Sequence, residues 1–268
     1  MADETPIEPP SSWLRWLEVR AAGEFAGTIA AWPLLRLAAR GDGHAVLVLP
    51  GLTAGDASTR LLRRYLGDLG YDAHGWLLGR NLGPQPGLRE AMLERIDRLH
   101  AASGRKLSLV GWSLGGAYAR ALALRRPDAV RNVITLGSPI AGDAHSTRAR
   151  RVYEWASGQP AARHAGPLPR HMLPDEMPCT SVYSRSDGVV AWRASLQPEG
   201  PLAENVEVVG SHVGLGIHAP VLYLVADRLA QPEGRWKAFQ PPWALRALYP
   251  DPHRDHRRGP VQSDSATP

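Results

Sequence analysis

The residue with the clearest chemical potential is a serine in a glycine-rich turn. Ser113 lies between an apolar run, KLSLVG, and an alanine-rich run with helical spacing, LGGAYARALAL. Gly111 and Gly115 complete the pattern Gly-x-Ser-x-Gly, and small residues there leave room for a sharp strand-to-helix turn that lifts the hydroxyl out of the sheet edge. The N-terminus of the following helix favours negative charge that develops during attack. The pattern predicts a nucleophile, and the alternative is a glycine-rich turn with an incidental serine.

A nucleophilic serine needs a base, and the chain has ten histidines. His212 follows the last predicted strand, in the stretch VVGSHVGLG, and precedes the last predicted helix. Because the carboxyl ends of parallel strands share one edge of a sheet, His212 is expected within reach of Ser113. His218, six residues later at the start of that helix, is the alternative base.

The base in turn needs an orienting acid. Asp187 follows the apolar run TSVYS, at the end of another predicted strand and 25 residues before His212. Its carboxylate would hold the imidazole in the correct tautomer and stabilise the imidazolium. Asp143, after the preceding strand, is the alternative acid. The non-catalytic alternative for either residue is an aspartate that forms a turn beside a glycine.

These stretches resemble the α/β-hydrolase superfamily, specifically its small bacterial esterase and lipase-like members. The resemblance covers about residues 42–231 and rests on four stretches: VLVLPGLTAGDAST, LVGWSLGG, YSRSDGVVAW and GSHVGLGIHAP. It implies the chain order Ser…Asp…His, with the histidine in the loop that holds His212. Some lipase relatives place the acid at the position of Asp143.

The resemblance also implies an oxyanion hole built from backbone N–H groups. One donor is expected to be Leu114, directly after the serine, and the other Leu52, in the loop after the first strand. This loop carries Pro50-Gly51, as in some lipases, where many relatives have His-Gly. Trp112 and Thr53 are candidate pocket residues. Arg80 and Asn81 lie at another strand exit, where they either line the pocket or form a turn.

The residues and the resemblance together predict a serine hydrolase that cleaves carboxylic esters through an acyl-enzyme. The expected substrate is a small acyl ester with an apolar acyl chain. An acyltransferase or thioesterase would use the same triad, and a non-catalytic protein could share the fold.

The elements that must position these residues alternate along the chain. Strands separated by helices predict an α/β fold with a mostly parallel, doubly wound sheet flanked by helices. The strand candidates are 45–50, 71–78, 106–111, 132–137, 179–190 and 205–212, and the helix candidates are 12–40, 57–69 capped by Asp56, 87–102, 114–126 and 219–229.

Three regions follow from this pattern. Residues 1–40 form an N-terminal segment, expected to be disordered to residue 11 and then helical. Residues 41–240 form the hydrolase domain, with a small helical cap insertion at about 141–178 that is poor in strand signals. Residues 241–268 form a Pro-, Arg- and His-rich tail. The tryptophans of the N-terminal segment could mark a helix at a membrane surface, but packing onto the domain is the favoured interpretation.

Composition narrows the function classes. The net charge of +5 comes from scattered arginines mixed with acidic residues, which predicts solvated helical faces and no nucleic-acid partner. A single cysteine, Cys179, allows no intrachain disulfide and is expected in the core. No metal-ligand spacing, phosphate loop or dinucleotide fingerprint occurs, so no metal or other cofactor is expected. The acidic, Pro-rich start and the absence of a long apolar run predict a cytoplasmic protein. The sequence does not indicate an oligomeric state.

Overall fold

The structure, a computed structural model, describes residues 7–141, 173–174 and 176–252. Its centre is a six-stranded sheet in which every neighbouring pair of strands is parallel, in the order β2-β1-β3-β4-β5-β6. The strands are β1 Ala45–Leu49, β2 Asp72–Gly75, β3 Leu107–Trp112, β4 Val130–Leu136, β5 Cys179–Tyr183 and β6 Ala203–Glu207. This confirms the predicted parallel α/β architecture.

Helices connect the strands and precede them. The α-helices are α1 Ser12–Trp16, α2 Ala21–Leu35, α3 Arg60–Asp68, α4 Leu88–Ser103, α5 Leu114–Arg125 and α6 Ala219–Leu229. Short 3-10 helices occupy Leu17–Arg20, Trp192–Ser195, Gly214–Gly216 and Trp243–Leu248.

The central strands are buried on both faces, as their continuous apolar runs predict. In β1, Val46 and Val48 pack into a core shared with α2, α3 and α6. The alternate residues, Leu47 and Leu49, pack into a second core with α4 and α5 on the other face. Helices therefore cover both faces, and the sheet is doubly wound. Cys179 is buried in the second core, as predicted.

The strand order also fixes where a site can form. The chain moves from β1 outward to β2 and then returns to the other side of β1 with β3, so the order reverses between β1 and β3. In open α/β sheets, ligands bind beyond the carboxyl ends of the strands at such a reversal. The loop after β1 and the turn after β3 meet at this point.

The N-terminal segment is helical from Ser12 to Leu35, shorter than the predicted 12–40. Its inward face packs against the domain: Thr28 and Leu35 are buried, and the Trp32 ring makes an edge contact with the Tyr65 ring at 5.7 Å between centroids. Its outward face corrects one expectation. The early tryptophans were expected to pack onto the domain, but Trp13 and Trp16 are 69% and 73% exposed.

Three local predictions also need correction. The strand predicted at 179–190 ends at Tyr183, so Asp187 lies in the loop after β5. Asp56 does not cap α3, which begins at Arg60; instead its carboxylate accepts the backbone N–H groups of Trp76 and Leu77, both at 3.0 Å. The last strand covers Ala203–Glu207 rather than 205–212, since the chain turns away from β5 after Val208. Most of the predicted cap, residues 142–172 and 175, lies outside the described residues, as does the tail beyond residue 252.

Within the part of the chain that the structure describes, no helix has both the length and the apolar character needed to span a lipid bilayer.

Candidate active site

Ser113 occupies a strained turn between β3 and α5. Its φ of 54° lies in the left-handed region, which non-glycine residues rarely adopt. The glycines around it are required by contact: a Cβ on Gly111 would overlap the backbone of Gly116, and a Cβ on Gly115 would overlap the backbone at the end of β1. The Ser113 N–H donates to Leu136 O at 2.8 Å, which ties the turn to β4. The strand-turn-helix context of a nucleophile elbow is therefore present.

The structure brings the three predicted residues together. His212 Nε2 lies 3.0 Å from Ser113 Oγ, and His212 Nδ1 lies 2.7 Å from Asp187 Oδ2. The second carboxylate oxygen, Asp187 Oδ1, accepts the N–H groups of Val189 and Val190, both at 2.8 Å. With Asp187 accepting from Nδ1–H, the Nε2 lone pair of a neutral His212 is free to accept the serine proton.

Burial and charge act in opposite directions on the base. Burial lowers the pKa of His212, but the charge and hydrogen bond of Asp187, with a contribution from the charge of Glu18, outweigh it. The pKa of His212 is therefore raised above its ordinary value. The ion pair is almost completely excluded from water, with His212 5% and Asp187 3% exposed, whereas Ser113 is 7% exposed.

Two backbone N–H groups lie on either side of the serine. Leu114 is the first residue of α5, so its N–H has no partner within the helix. Leu52 follows Gly51, whose position against the serine is close: a Cβ on Gly51 would come within 3.1 Å of Ser113 Cβ. Across residues 7–141, 173–174 and 176–252, neither the Leu52 nor the Leu114 N–H donates a hydrogen bond. Neither N–H group therefore has a partner within this part of the chain, and their role as oxyanion donors stays a prediction.

The loop after β1 is held by Asn81, which is fully buried. The Asn81 side-chain amide donates to Pro50 O at 2.9 Å, and the backbone carbonyl of Asn81 accepts the Thr53 N–H at 2.6 Å. Thr53 itself has a φ of 62°. Asn81 thus acts as a structural brace, while Arg80 is exposed and donates to Thr53 O at 3.1 Å.

Trp112 contacts the histidine loop. Its Nε1–H donates to His212 O at 3.1 Å, and its ring centroid lies 6.0 Å from that of His212. A Cβ on Gly216 would touch the same indole at 3.4 Å. Trp112 therefore packs behind the imidazole and supports its position. Its predicted role in lining a substrate pocket remains a prediction.

The alternative base and acid have different outcomes. His218 precedes α6 and lies beside Gly210, and burial lowers its pKa. Its Nδ1 is buried without a hydrogen-bond partner among the described residues, whereas His212 is bonded to Ser113. Asp143 lies outside the described residues.

The sequence interpretation missed an acidic contribution from the N-terminal segment. The Glu18 carboxylate accepts N–H groups from Gly188, His212 and Val213, and Glu24 accepts the N–H and hydroxyl of Ser211. A signal was present: both glutamates share a 3.6-residue period with Leu14, Leu17, Ala21, Thr28 and Leu35, so they lie on the inward face of the segment.

Serine, histidine and aspartate also meet a second time, near the amino ends of the strands. His44 Nε2 lies 2.7 Å from Ser108 Oγ, and His44 Nδ1 pairs with Asp42 Oδ1. Ser108 and His44 are fully buried. Ser108 is a mid-strand residue of β3, paired with β1 and β4, so no substrate can reach its hydroxyl.

Among the described residues, no group of three or more His, Cys, Asp or Glu side chains is placed to hold a metal ion.

Comparisons with known proteins agree with this fold. A family model described as the alpha/beta hydrolase fold matches residues 86–199, which include Ser113 and Asp187 but not His212. No curated protein sequence matches the chain.

Solved structures give the same picture. An alpha/beta superfamily hydrolase from Oenococcus oeni matches with a TM-score of 0.54 at 16% identity, over 70% of this chain and 91% of that one. Lipase B from Aspergillus fumigatus matches with a TM-score of 0.52 at 18% identity, over 72% of this chain. The match spans only 53% of the length of that lipase. The chain has the α/β-hydrolase fold, and the predicted resemblance to that superfamily is confirmed.

Proposed function

We propose that this chain is a serine hydrolase that cleaves carboxylic esters, with Ser113 as nucleophile, His212 as base and Asp187 as the orienting acid. The observation that carries the proposal is the pair of distances through one imidazole, 3.0 Å to Ser113 Oγ and 2.7 Å to Asp187 Oδ2. This arrangement activates a hydroxyl that is otherwise a weak nucleophile.

In the acylation step, Ser113 Oγ forms a bond to the acyl carbon while His212 Nε2 takes the hydroxyl proton. The carbonyl oxygen becomes an oxyanion that the N–H groups of Leu52 and Leu114 stabilise. When the intermediate collapses, the ester C–O bond breaks and His212 returns its proton to the departing alcohol.

In the deacylation step, His212 takes a proton from water, whose oxygen attacks the acyl-enzyme. Collapse of the second intermediate releases the carboxylic acid and returns the proton to Ser113 Oγ. Asp187 remains ionised throughout, holds the Nδ1–H tautomer and stabilises the imidazolium that forms in each half-reaction.

The proposed substrate is a small ester with an apolar acyl chain. Val213, an apolar residue that follows His212 directly and is 43% exposed, is a candidate for contact with that acyl chain. A cytoplasmic location stays a prediction from the sequence.

The test is hydrolysis of p-nitrophenyl esters of increasing acyl chain length, combined with labelling by a fluorophosphonate probe. We expect wild type to react in both assays and Ser113→Ala to lose labelling and most of its turnover, because the nucleophile is absent. Ser103→Ala, at an exposed serine at the end of α4, is the matched control and should match wild type. Undiminished turnover in folded Ser113→Ala would refute the assignment.

The acyl acceptor needs its own measurement, since a transferase or thioesterase uses the same triad. Partitioning of the acyl group between water and an added alcohol or thiol separates these activities. If most of the acyl group passed to the alcohol or thiol, the triad would keep its role but the acceptor would not be water. Absence of labelling in wild type would favour a non-catalytic binding protein.

A further inference from the structure

One carboxylate from the N-terminal segment bonds to both loops that carry the acid and the base. Glu18 Oε1 accepts the N–H of Gly188 at 2.9 Å and the N–H of His212 at 2.8 Å. Glu18 Oε2 accepts the N–H of Val213 at 3.0 Å. These partners lie 170, 194 and 195 positions along the chain from Glu18. Hydrogen bonds from N–H groups to a carboxylate are about twice as strong as neutral ones.

The three bonds fix the relative position of the acid and the base. Gly188 follows Asp187 directly, so its N–H belongs to the loop that carries the acid. The other two N–H groups belong to the loop that carries His212. The segment is closely seated here: a Cβ on Gly188 would come within 2.7 Å of the carbonyl carbon of Leu14.

Neighbouring residues of the segment bind the same two loops. Arg20 Nη2 donates to Ser186 O at 2.9 Å and to Ser186 Oγ at 2.8 Å, next to the acid. Glu24 accepts the Ser211 N–H at 2.8 Å and the Ser211 hydroxyl at 2.5 Å, next to the base. Polar side chains from Glu18 to Glu24 therefore bind the two loops along the inward face of the segment.

We propose that Glu18 is a positioning residue of the active site, which holds the Asp187 loop and the His212 loop in register through a single carboxylate. This inference rests on the proposed function, because it assigns a role relative to that triad. It also makes the N-terminal segment part of the active site rather than a separate region.

The charge of Glu18 gives the proposal a readout that a purely structural contact lacks. The polar and charged groups that face His212 are Asp187 from the loop after β5, Glu18 from the N-terminal segment and the Ser113 hydroxyl, while the Trp112 ring lies beside it. The negative charge of Glu18 contributes to the raised pKa of His212. Removing the charge should lower that pKa, and the pH at which His212 becomes a neutral base should fall.

The experiment measures kcat, KM and the pH profile of kcat/KM for Glu18→Gln, Glu18→Asp and Glu24→Gln. Glu18→Gln should lower kcat by about tenfold or more, because misplacement of catalytic groups is costly, and should move the acid limb to lower pH. Glu18→Asp keeps the charge but cannot reach all three N–H groups, so kcat should fall with the acid limb near its wild-type position. Glu24→Gln, the matched control, removes a charge that faces Ser211 instead, and its acid limb should stay in place.

Each outcome decides the proposal. Wild-type kcat and an unmoved acid limb in folded Glu18→Gln would overturn it, provided that wild type hydrolyses esters and labels at Ser113. Failure of wild type itself to react would count against the proposed function instead. If Glu18→Gln does not fold, wild-type kcat in Glu18→Asp would overturn the proposal and a reduced kcat with a retained acid limb would support it.

The outward face of the same segment carries an independent observation. Several large apolar side chains are exposed along the segment, and we refer to them together as the apolar stripe: Trp13, Trp16, Val19, Phe25, Ile29 and Leu34. Exposed apolar side chains that adjoin one another on a folded protein mark contact sites.

Cations predominate beside the stripe. Arg15, Arg36 and Arg40 are exposed, although Arg36 lies 4.0 Å from the Asp68 carboxylate and Arg40 donates to Asp68 O. Glu18 and Glu24 are turned inward to the two loops. Apolar residues flanked by cations match an anionic lipid surface. We propose that the stripe docks the protein on anionic membranes, with the active-site loops held against the other face of the same segment.

The test is cosedimentation with vesicles of phosphatidylglycerol or of phosphatidylcholine, together with the molar mass in solution by light scattering. Wild type should bind the anionic vesicles more strongly, and the double variant Trp13→Ala/Trp16→Ala should lose at least about tenfold in partitioning, since it removes much of the apolar contact. Trp243→Ala, an exposed tryptophan off the stripe, is the matched control and should bind like wild type. Absence of vesicle binding, or a dimer that the double variant dissociates, would overturn the proposal.

Discussion

Two Ser-His-Asp sets occur among the residues that the structure describes, and the surroundings of each serine separate their roles. Ser113 stands at a turn where two N–H groups donate no hydrogen bond to any described residue, and its hydroxyl lies beyond the carboxyl ends of the strands. Ser108 lies in a paired strand and is fully buried, so its hydroxyl serves only to satisfy His44. The chemical potential of such a set therefore depends on access and on nearby donors, which the three residue types alone do not reveal.

Exchanging each serine for alanine should separate these roles. Ser108→Ala leaves His44 Nε2 buried without a partner and should lower the free energy of unfolding by about 1–3 kcal/mol, with fluorophosphonate labelling retained. Ser113→Ala should lose labelling and remain close to wild type in stability. Urea unfolding and gel-based labelling measure the two effects. Loss of labelling in folded Ser108→Ala would contradict this separation.

The acid should affect both the rate and its pH dependence. Since the pKa of His212 is raised, kcat/KM of wild type should rise with pH through an acid limb above the ordinary histidine value of 6.5. Asp187→Asn removes the main groups that raise this pKa and leaves burial, which lowers it, so the limb should move to lower pH. Asparagine at position 187 would no longer hold the Nδ1–H tautomer of His212, so kcat should also fall by about 10⁴-fold.

Asp128→Asn, at an exposed aspartate after α5, is the control for the loss of one negative charge and should keep the wild-type profile. An acid limb that stays in place in Asp187→Asn would show that the limb reports another group.

At the scale of elements, the sequence predicts what is encoded locally. Continuous apolar runs predicted β1, β3 and β4 to within about two residues, because strands buried on both faces have no polar face to obscure the pattern. Asp56 was predicted to cap the helix that follows it. It accepts hydrogen bonds from the N–H groups of Trp76 and Leu77 instead, which lie 20 and 21 positions later. Glu18 was missed for the same reason, as its partners are distant in sequence.

The seating of the N-terminal segment can be tested with two glycines. Gly188→Ala places a Cβ against the backbone of Leu14 and should weaken the Glu18 contact, lowering kcat/KM and costing about 1–3 kcal/mol of stability. Gly27→Ala in α2 is the matched change, because nothing lies within 4 Å of its Cβ position. It should stabilise the protein by about 0.5–1 kcal/mol, as alanine is favoured in a helix. Activity assays and urea unfolding distinguish the two, and a neutral Gly188→Ala would argue against close seating.

At the scale of the whole molecule, two buried histidines at opposite ends of the strands have pKa values that are shifted in opposite directions. At the carboxyl edge, Asp187 and Glu18 raise the pKa of His212 despite burial. At the amino edge, burial and the charge of Arg131 lower the pKa of His44, although Asp42 acts in the other direction. Burial also lowers the pKa of His218.

These shifts predict how stability depends on pH. His44 and His218 resist protonation in the folded state, so the stability they contribute is present above pH 6.5 and is lost as pH falls below it. His212 retains its proton more strongly when folded, so its contribution is present below pH 6.5 and is lost as pH rises through its raised pKa. The free energy of unfolding should therefore be greatest near pH 6.5, with each histidine contributing at most about 1.4 kcal/mol per pH unit.

Urea unfolding near pH 5, 6.5 and 8 measures both sides of this maximum, and two variants assign them. His212→Gln should remove the decline on the alkaline side, because the proton that stabilises the folded state is no longer bound. His218→Gln should reduce the decline on the acid side, because its buried ring no longer has to be protonated on unfolding. If His212→Gln still lost stability between about pH 6.5 and 8 as wild type does, the raised pKa of the active-site histidine would not be the cause, and the electrostatic account of the carboxyl edge would be wrong.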